Sequence, residues 1–406
     1  MPTYLAPGVY LEEVDGVWDS PGRGLIDSPE PTFEWADASK WRTPWHAAFV
    51  GFATEGPLDE PVLVENPRQF AATFGEEMAQ GFLAAAVDGY FANGGQACYV
   101  VRVEGGEHDD VAGRIAGNLG RTGLSALEDV DDIGFVAVPD LWSAFQAGVL
   151  DLDDAKEVQL RMIVHAEATG DLIAVLDPPP ELDPQQVHEW RVEFNGFDST
   201  YTALYYPWIR TTRRSTGRVD PMPPSGHVAG VLARCDRELG VHVPPANAVI
   251  RQVLAVEART TMRERDMLNP VGINTLVAMP GSGVVVYGAR TLSSDPAWRY
   301  LHRRRAVNEI KSAIRHGTSW AVFRTTPGEP DDWDVAHRLV TEISEYLYVQ
   351  WLGGVLEGMT ADEAFVVRCD AFTSPPDVRA AGQLVVEIGL NVGGDALGLR
   401  VVYFAP

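Results

Sequence analysis

Apolar positions recur along the chain with two periods. Their alternation predicts a layered α/β body followed by a mixed C-terminal part. Order begins in YLAPGVYLEEV, residues 4–14. After Pro7 and Gly8 comes a short β-prone run. Val9 and Leu11 share one face of that strand, and Tyr10, Glu12 and Val14 the other. A terminal segment frays unless something ties it down, so this strand calls for a partner. Residues 15–45 read as loop, punctuated by Pro21, Gly22, Gly24, Pro29, Pro31 and Pro44. They carry Trp18, Phe33, Trp35, Trp41 and Trp45, aromatics that need somewhere to bury.

The next segment, AAFVGFATEGPLDEPVLV, predicts strand, turn, strand. NPRQFAATFG predicts a short helix closed by Gly75. In GFLAAAVDGYFANGG, Leu83, Val87, Tyr90 and Phe91 recur at helical spacing, and Asn93-Gly94-Gly95 closes the helix. CYVVRV reads as a buried strand. IGFVAVPD and DLIAVLDPPP are apolar runs ending in Asp and Pro, and YTALYYPWI is another strand. With helical segments between them, these runs predict α/β layering. Residues 225–250 predict a helix, a turn and the start of a second helix. GINTLVAMPGSGVVVYGARTL predicts a hairpin around Pro280-Gly281.

Asp295 and Pro296 cap a helix running to about Arg315, with Val307, Ile310 and Ile314 on one face. Arg303, Arg304, Lys311 and Arg315 lie largely on other faces. WAVFRT predicts a strand. Asp332 to Leu352 predicts a long helix with the stripe Val335, Leu339, Ile343, Tyr346 and Leu347. AFVVRCD and QLVVEIGLNV predict strands, and GLRVVYFAP closes the chain with a strand that mirrors the first. No internal repeat is present.

Composition narrows the function. A chain of 406 residues with 46% hydrophobic and 22% charged content has the make-up of a globular protein of two or three domains. No apolar run of about 18 residues predicts a membrane span, and the N-terminus has neither the basic nor the apolar region of a signal peptide. Net charge is −25, which argues against a nucleic-acid partner. Residues 1–200 hold 36 acids against 10 bases, while residues 201–406 hold 21 against 22. Such asymmetry fits an outside and an inside, although acid-biased solubility alone also accounts for it. The 29 arginines against 3 lysines read as a compositional bias of the source.

Catalytic signatures are missing. There is no phosphate-binding GxxxxGK[ST], no HExxH and no GxSxG, and GSGVVVYG lacks the third glycine of a dinucleotide loop. Cys98, Cys235 and Cys369 are too dispersed for a disulfide framework or a zinc site. The acidic clusters at 109–111, 129–132 and 151–154 lack the ligand spacing and glycine of a calcium loop and read as solvated loops or helix starts. Asp177 ends an apolar strand as a catalytic carboxylate would, but the three prolines after it favour a structural turn. His227 is best read as a backbone-bonded histidine at a helix start. Arg303-Arg304-Arg305 is the one local charge feature that stands out. Its arginines fan over about 200° of a helix. They form either a solvated face with an Arg305–Glu309 pair or a positive surface for an acidic partner.

The ordered segments resemble the tail sheath proteins of contractile phage tails and related contractile injection systems. The residues carrying the likeness are 4–14, FVGFATEGPLDEPVLVENPRQFAATFG at 49–75, and FANGGQACYVVRV at 91–103. They continue with residues 223–247 and with LNPVGINTLVAMPGSGVVVYGARTLSSDPAWRYLHRRR at 268–305, then the C-terminal WAVFRT and CD segments. The likeness is weakest over 18–46 and 104–222.

The resemblance implies a tail-sheath fold, α/β and α+β. Its parts would be an N-terminal arm at 1–17, an outer α/β domain at 18–295 with a variable part about 104–222, an inner C-terminal α+β domain at 296–398, and a C-terminal arm at 399–406. It implies that Val9, Tyr10, Leu11, Glu12 and Val14, with Leu399, Val401, Val402, Tyr403 and Phe404, join neighbouring subunits by strand addition. Arg303, Arg304, Lys311 and Arg315 become candidates to face a tube or a neighbour. The implied partners are further copies of the chain in stacked hexameric rings, an inner tube, a baseplate and a tail-terminator or cap. No nucleic acid, membrane insertion, metal, cofactor or enzymatic activity is implied. Assembly would occur in the cytoplasm of a producing bacterium, as part of a virion or a phage-tail-like particle. The competing readings are an α/β enzyme of unknown chemistry and a tube or baseplate component of the same machine.

Overall fold

The computed structural model describes residues 6–14, 41, 45–105, 110–117, 121–322, 324 and 332–404. The chain divides into two compact units, one of Met1–Thr43 with Ala306–Pro406 and one of Pro44–Arg305. Strands are numbered in chain order. β1 (Gly8–Val14) belongs to the first unit.

The Pro44–Arg305 unit is built on an eight-stranded sheet. Its strands are β2 (His46–Phe52), β3 (Val62–Val64), β4 (Cys98–Val103), β5 (Ile133–Ala137) and β6 (Ile173–Leu176), with β7 (Thr202–Tyr206), β11 (Ile273–Met279) and β12 (Gly283–Val286). The order is β12-β11-β7-β6-β5-β2-β4-β3. The six inner strands run parallel, and β12 and β3 are antiparallel edges. The inner strands read as unbroken apolar runs because helices cover both faces of a parallel sheet. β5 and β6 are buried at every position. A small sheet of β8 (Ile209–Thr212), β9 (Val219–Met222) and β10 (Ala255–Val256) follows the order β10-β8-β9.

Helices Leu83–Ala92 and Ser225–Leu239 cross where glycines remove side chains. A Cβ on Gly226 would lie 2.5 Å from the Ala86 carbonyl oxygen, and one on Gly230 2.3 Å from that of Tyr90. The expected strand-turn-strand at 47–64 forms, and β3 pairs with β4. β2 already has β5 and β4 on its two sides. The second helix expected near 245–250 is absent. Pro244 and Pro245 favour extended chain there. The segment lies along β12 instead, with the Ile250 amide donating to the Val284 carbonyl at 2.8 Å. The cluster at 151–154 is a helix start, since Asp151 and Asp154 form a reciprocal capping box for the Leu152–Thr169 helix. Asp110 likewise caps Val111–Ala116 by accepting from the Gly113 amide.

The other unit carries the antiparallel sheet β1-β15-β14-β13, with β13 (Phe365–Arg368), β14 (Gln383–Val392) and β15 (Asp395–Phe404). A tight Gly393-Gly394 turn joins β14 to β15, and both glycines take positive φ (62° and 83°). The long helix spans Asp332–Leu352, and its stripe residues Leu339, Ile343, Tyr346 and Leu347 are buried. Helix Leu301–Gly317 crosses the division between the units after Arg305. Its Val307, Ile310 and Ile314 are buried as the spacing predicts. Of the strand expected at 320–325, Phe323 and Thr325 lie outside the described residues, and Trp320 and Ala321 belong to a 3₁₀ turn at Ser319–Ala321. Trp320 there has no need of a sheet. Arg338 stacks 3.9 Å from its ring centroid, and its indole N–H donates to Glu342 at 3.0 Å. Of the aromatic segment, Trp41 is buried and stacks on Tyr346 at 4.7 Å. Trp45 lies in the other unit, its side chain against Gly134. Trp18, Phe33 and Trp35 lie outside the described residues.

Candidate functional site: the terminal-strand sheet

The two ends of the chain meet in one ladder. β1 runs antiparallel to β15 from Gly8 opposite Phe404 to Val14 opposite Gly398. Opposed residues share a face. Val9, Leu11 and Glu13 therefore stand with Tyr403, Val401 and Leu399, all three fully buried. The Tyr403 hydroxyl donates to Thr318 Oγ1 at 2.8 Å, which ties this face to the end of the Leu301–Gly317 helix. Tyr10, Glu12 and Val14 stand on the other face with Val402, Arg400 and Gly398. β1 is half-buried at every position and forms the edge of the sheet.

β15 is held on both sides. Leu399, Val401, Val402, Tyr403 and Phe404 pair with β1 and, through a ten-residue register, with β14. The two terminal strands thus differ. β1 has one partner strand, whereas β15 is tethered to β14 by a tight turn.

Charge on the sheet follows the same register. On the outer face the positions Glu12, Arg400, Glu387 and Arg368 line up across β1, β15, β14 and β13. Glu387 takes Arg400 and Arg368 at 3.2 Å each. On the inner face Lys311 Nζ lies 3.0 Å from Glu13 Oε1, with Lys311 only 5% exposed. Sequence reading missed Glu13. The signal available was a tandem of acids inside a short apolar strand, which puts one carboxylate on each face.

The four basic candidates separate on burial. Arg304 is 1% exposed, with its guanidinium 4.0 Å from the Trp298 ring centroid and 4.6 Å from that of Tyr201. Lys311 is turned inward to Glu13. Neither presents a surface cation, which corrects the expectation from helical spacing. The arginine run does not fan into water, because apolar and aromatic neighbours cover it. Arg305, expected to pair with Glu309, instead forms a buried ion pair with Asp236. Arg303 and Arg315 remain half-buried, and Arg303 donates to the Ala297 carbonyl at 2.7 Å.

The acids at the sheet ends are engaged internally. Asp140 Oδ2 accepts from the Phe52 amide at 2.7 Å and Oδ1 from the Phe82 amide at 2.5 Å. Asp177 Oδ1 accepts from the Ser225 amide at 2.9 Å. Burial raises both carboxyls, that of Asp177 to about 7. His227 is buried against Gly89, and burial lowers its imidazole to about 4. Its expected backbone bond does not form at Nδ1, which has no partner. Among the described residues no group of three or more His, Cys, Asp or Glu is placed to hold a metal ion, and no helix is long and apolar enough to cross a membrane.

Comparison with known proteins agrees with this architecture. Residues 123–292 match the model of the phage tail sheath protein central domain. The putative prophage major tail sheath protein of Pseudomonas aeruginosa is 29% identical over 281 residues, 65% of this chain and 67% of that one. The tail sheath protein of Vibrio phage KVP40 is 26% identical over 337 residues, 74% of this chain and 48% of that one. The chain therefore spans about two thirds of the first relative and about half of the second. The contracted helical sheath of the anti-feeding prophage superposes with a TM-score of 0.70 at 25% identity, covering 90% of this chain and 96% of that one. A chain of the 6-fold symmetrised baseplate of the same particle gives a TM-score of 0.70 at 26% identity, covering 86% and 90%.

Proposed function

Because the chain belongs to the tail sheath family of contractile phage tails and injection systems, which is structural and not enzymatic, we propose the following role for it. It polymerises as stacked hexameric rings around an inner tube, and its contraction drives that tube through a target envelope. Relatives in a contracted sheath and in a 6-fold symmetrised baseplate support contraction and six-fold assembly. The tube, the baseplate and a terminator are the partners. The particle is a phage tail or an extracellular injection system. The acidic part before residue 296 lies outward, in water, and the part after it lies inward, by the tube. Of the basic candidates, Arg303 and Arg315 keep enough exposure to face the tube or a neighbour.

Joining of subunits rests on one observation, the β1–β15 ladder at a sheet edge. A strand that completes this edge within one chain completes it equally well from a neighbour, as in domain swapping. From Val14 to Trp41 the chain is long enough to reach at most about 90 Å, so β1 has the range to enter another subunit. Exchange of β1 opens one ladder, to β15, together with the Glu13–Lys311 pair. Exchange of Leu399–Phe404 also opens the ladder to β14, which makes β1 the cheaper donor. Subunits joined in this way rotate and slide as bodies while remaining linked.

Negative-stain electron microscopy of the full chain beside a variant lacking residues 1–14 tests this reading. Hollow tubes from the full chain, lost in the variant, are expected. Discrete particles from both, with and without the tube protein, would overturn it.

A further inference from the structure

We propose that Glu12 and Glu13 form a two-faced charge code that fixes the register of the strand on this sheet edge, with Glu13–Lys311 as its buried half. The inference rests on the reading that β1 is exchanged between subunits. It names what the receiving subunit recognises, a strand carrying a carboxylate on each face at adjacent positions.

A β-strand on a sheet edge has no intrinsic register, since its main-chain bonds are the same after any slip. Side chains must supply it. Here two cations read the strand from opposite sides. Lys311 meets Glu13 beneath the sheet, and Arg400 stands opposite Glu12 above it, at the end of the row Glu12, Arg400, Glu387, Arg368. Sliding β1 by one residue one way puts Val14 opposite Leu399, so that the buried Lys311 loses the carboxylate of Glu13 and meets an apolar side chain in its place. Sliding the other way brings Glu12 to Lys311 but puts Leu11 opposite Arg400. Slips of two residues break the row again. Only the observed register pairs Glu13 with Lys311 and at the same time sets Glu12 opposite Arg400, which Glu387 already holds from the other side.

The buried half carries most of the discrimination. An ammonium at 5% exposure loses much when the carboxylate of Glu13 is removed, whereas Arg400 in the outer row is 42% exposed and keeps Glu387, so salt screens it more. Lys311 is one of only 3 lysines beside 29 arginines. A lysine is a compact point charge that suits a single carboxylate, where arginine's fork prefers two contacts.

The test exchanges charges. Glu13→Lys and Lys311→Glu, each alone, are expected to lower pelletable polymer at least about tenfold, as loss of a buried pair predicts. Glu13→Gln keeps the shape of the side chain and gives a smaller loss, which covers the case in which the reversals misfold. The double variant Glu13→Lys/Lys311→Glu is expected to regain wild-type assembly. A mixture of the two single variants is also expected to co-assemble, because each chain's arm then fits the other chain's acceptor. Single variants and Glu13→Gln that polymerise like wild type would overturn the code. So would a double variant that is not rescued. Rescue of the double variant without rescue of the mixture would leave the code standing within one chain and sink the exchange reading alone.

Discussion

Asp177 offers a pH-dependent prediction whose size follows from its surroundings. The residue ends β6, is buried, and accepts from the first amide of the Ser225–Leu239 helix. No cation is among the causes acting on its carboxyl, and burial raises it from 3.8 to about 7. The folded chain therefore holds this proton after the unfolded chain has released it. Stability contributed at Asp177 is present below about pH 4 and is lost as pH rises toward about 7, at roughly 1.4 kcal/mol per pH unit. The accumulated loss at pH 8 is at most about 4 kcal/mol. Asp177→Asn keeps an oxygen acceptor for the Ser225 amide and cannot ionise. The variant should match wild type near pH 4 and exceed it at pH 8 by up to that amount. Asp88, raised by burial to about 6, adds its own pH dependence, but it cancels in the difference between the two chains. Hydrogen exchange of peptides covering 173–178 and 225–232, in dilute unpolymerised chain at both pH values, reads the local opening free energy. A variant that loses protection at pH 8 would refute the reasoning. It would mean that the helix N-terminus holds the carboxylate ionised.

Two further outcomes follow from the same unit. Gly230→Ala puts a methyl 2.3 Å from the Tyr90 carbonyl oxygen. Overpacking of about 1–3 kcal/mol should outweigh the helix propensity gained, lowering the thermal midpoint by several degrees in calorimetry. Asp236→Asn strands the Arg305 guanidinium, at 5% exposure, and should destabilise by about 3 kcal/mol in urea titration. Asp236→Leu combined with Arg305→Met should recover most of that loss, since an apolar pair replaces a buried ion pair at little net cost.

Periodicity made most of the elements legible. The Asp332–Leu352 helix matches its predicted limits, and β4 spans the six residues of CYVVRV. These elements bury one face or both, and burial writes itself into the spacing of apolar residues. The misses occur where long-range geometry decides. Where a strand was expected, Ser319–Ala321 forms a 3₁₀ turn, with Arg338 and Glu342 on Trp320. Arg304 was misplaced because helical spacing gives angles about an axis without saying what stands there. Trp298 and Tyr201 decide that. At the terminal strands the pattern gave the faces of Val9, Leu11, Tyr10 and Val14. The role of Glu13 depended on a lysine 298 positions away.

The engaged carboxylates explain how an α/β layered unit serves as scaffold. In open parallel sheets, ligands gather beyond the carboxyl ends of the strands, often with an anion at a helix N-terminus. This chain sets its own side chains there. Asp177, just past β6, occupies the amide at the start of the Ser225–Leu239 helix, and Asp140, beyond β5, takes the amides of Phe52 and Phe82. Glycine then closes what remains, since Gly226 and Gly230 bring two helices too near for a side chain between them. A position that elsewhere receives an anion is filled by an internal carboxyl group. The energy of those contacts goes into fixing strand ends and helix starts against each other. Under the proposed role, in which subunits move as bodies joined by their terminal strands, such stiffness matters more than a cleft.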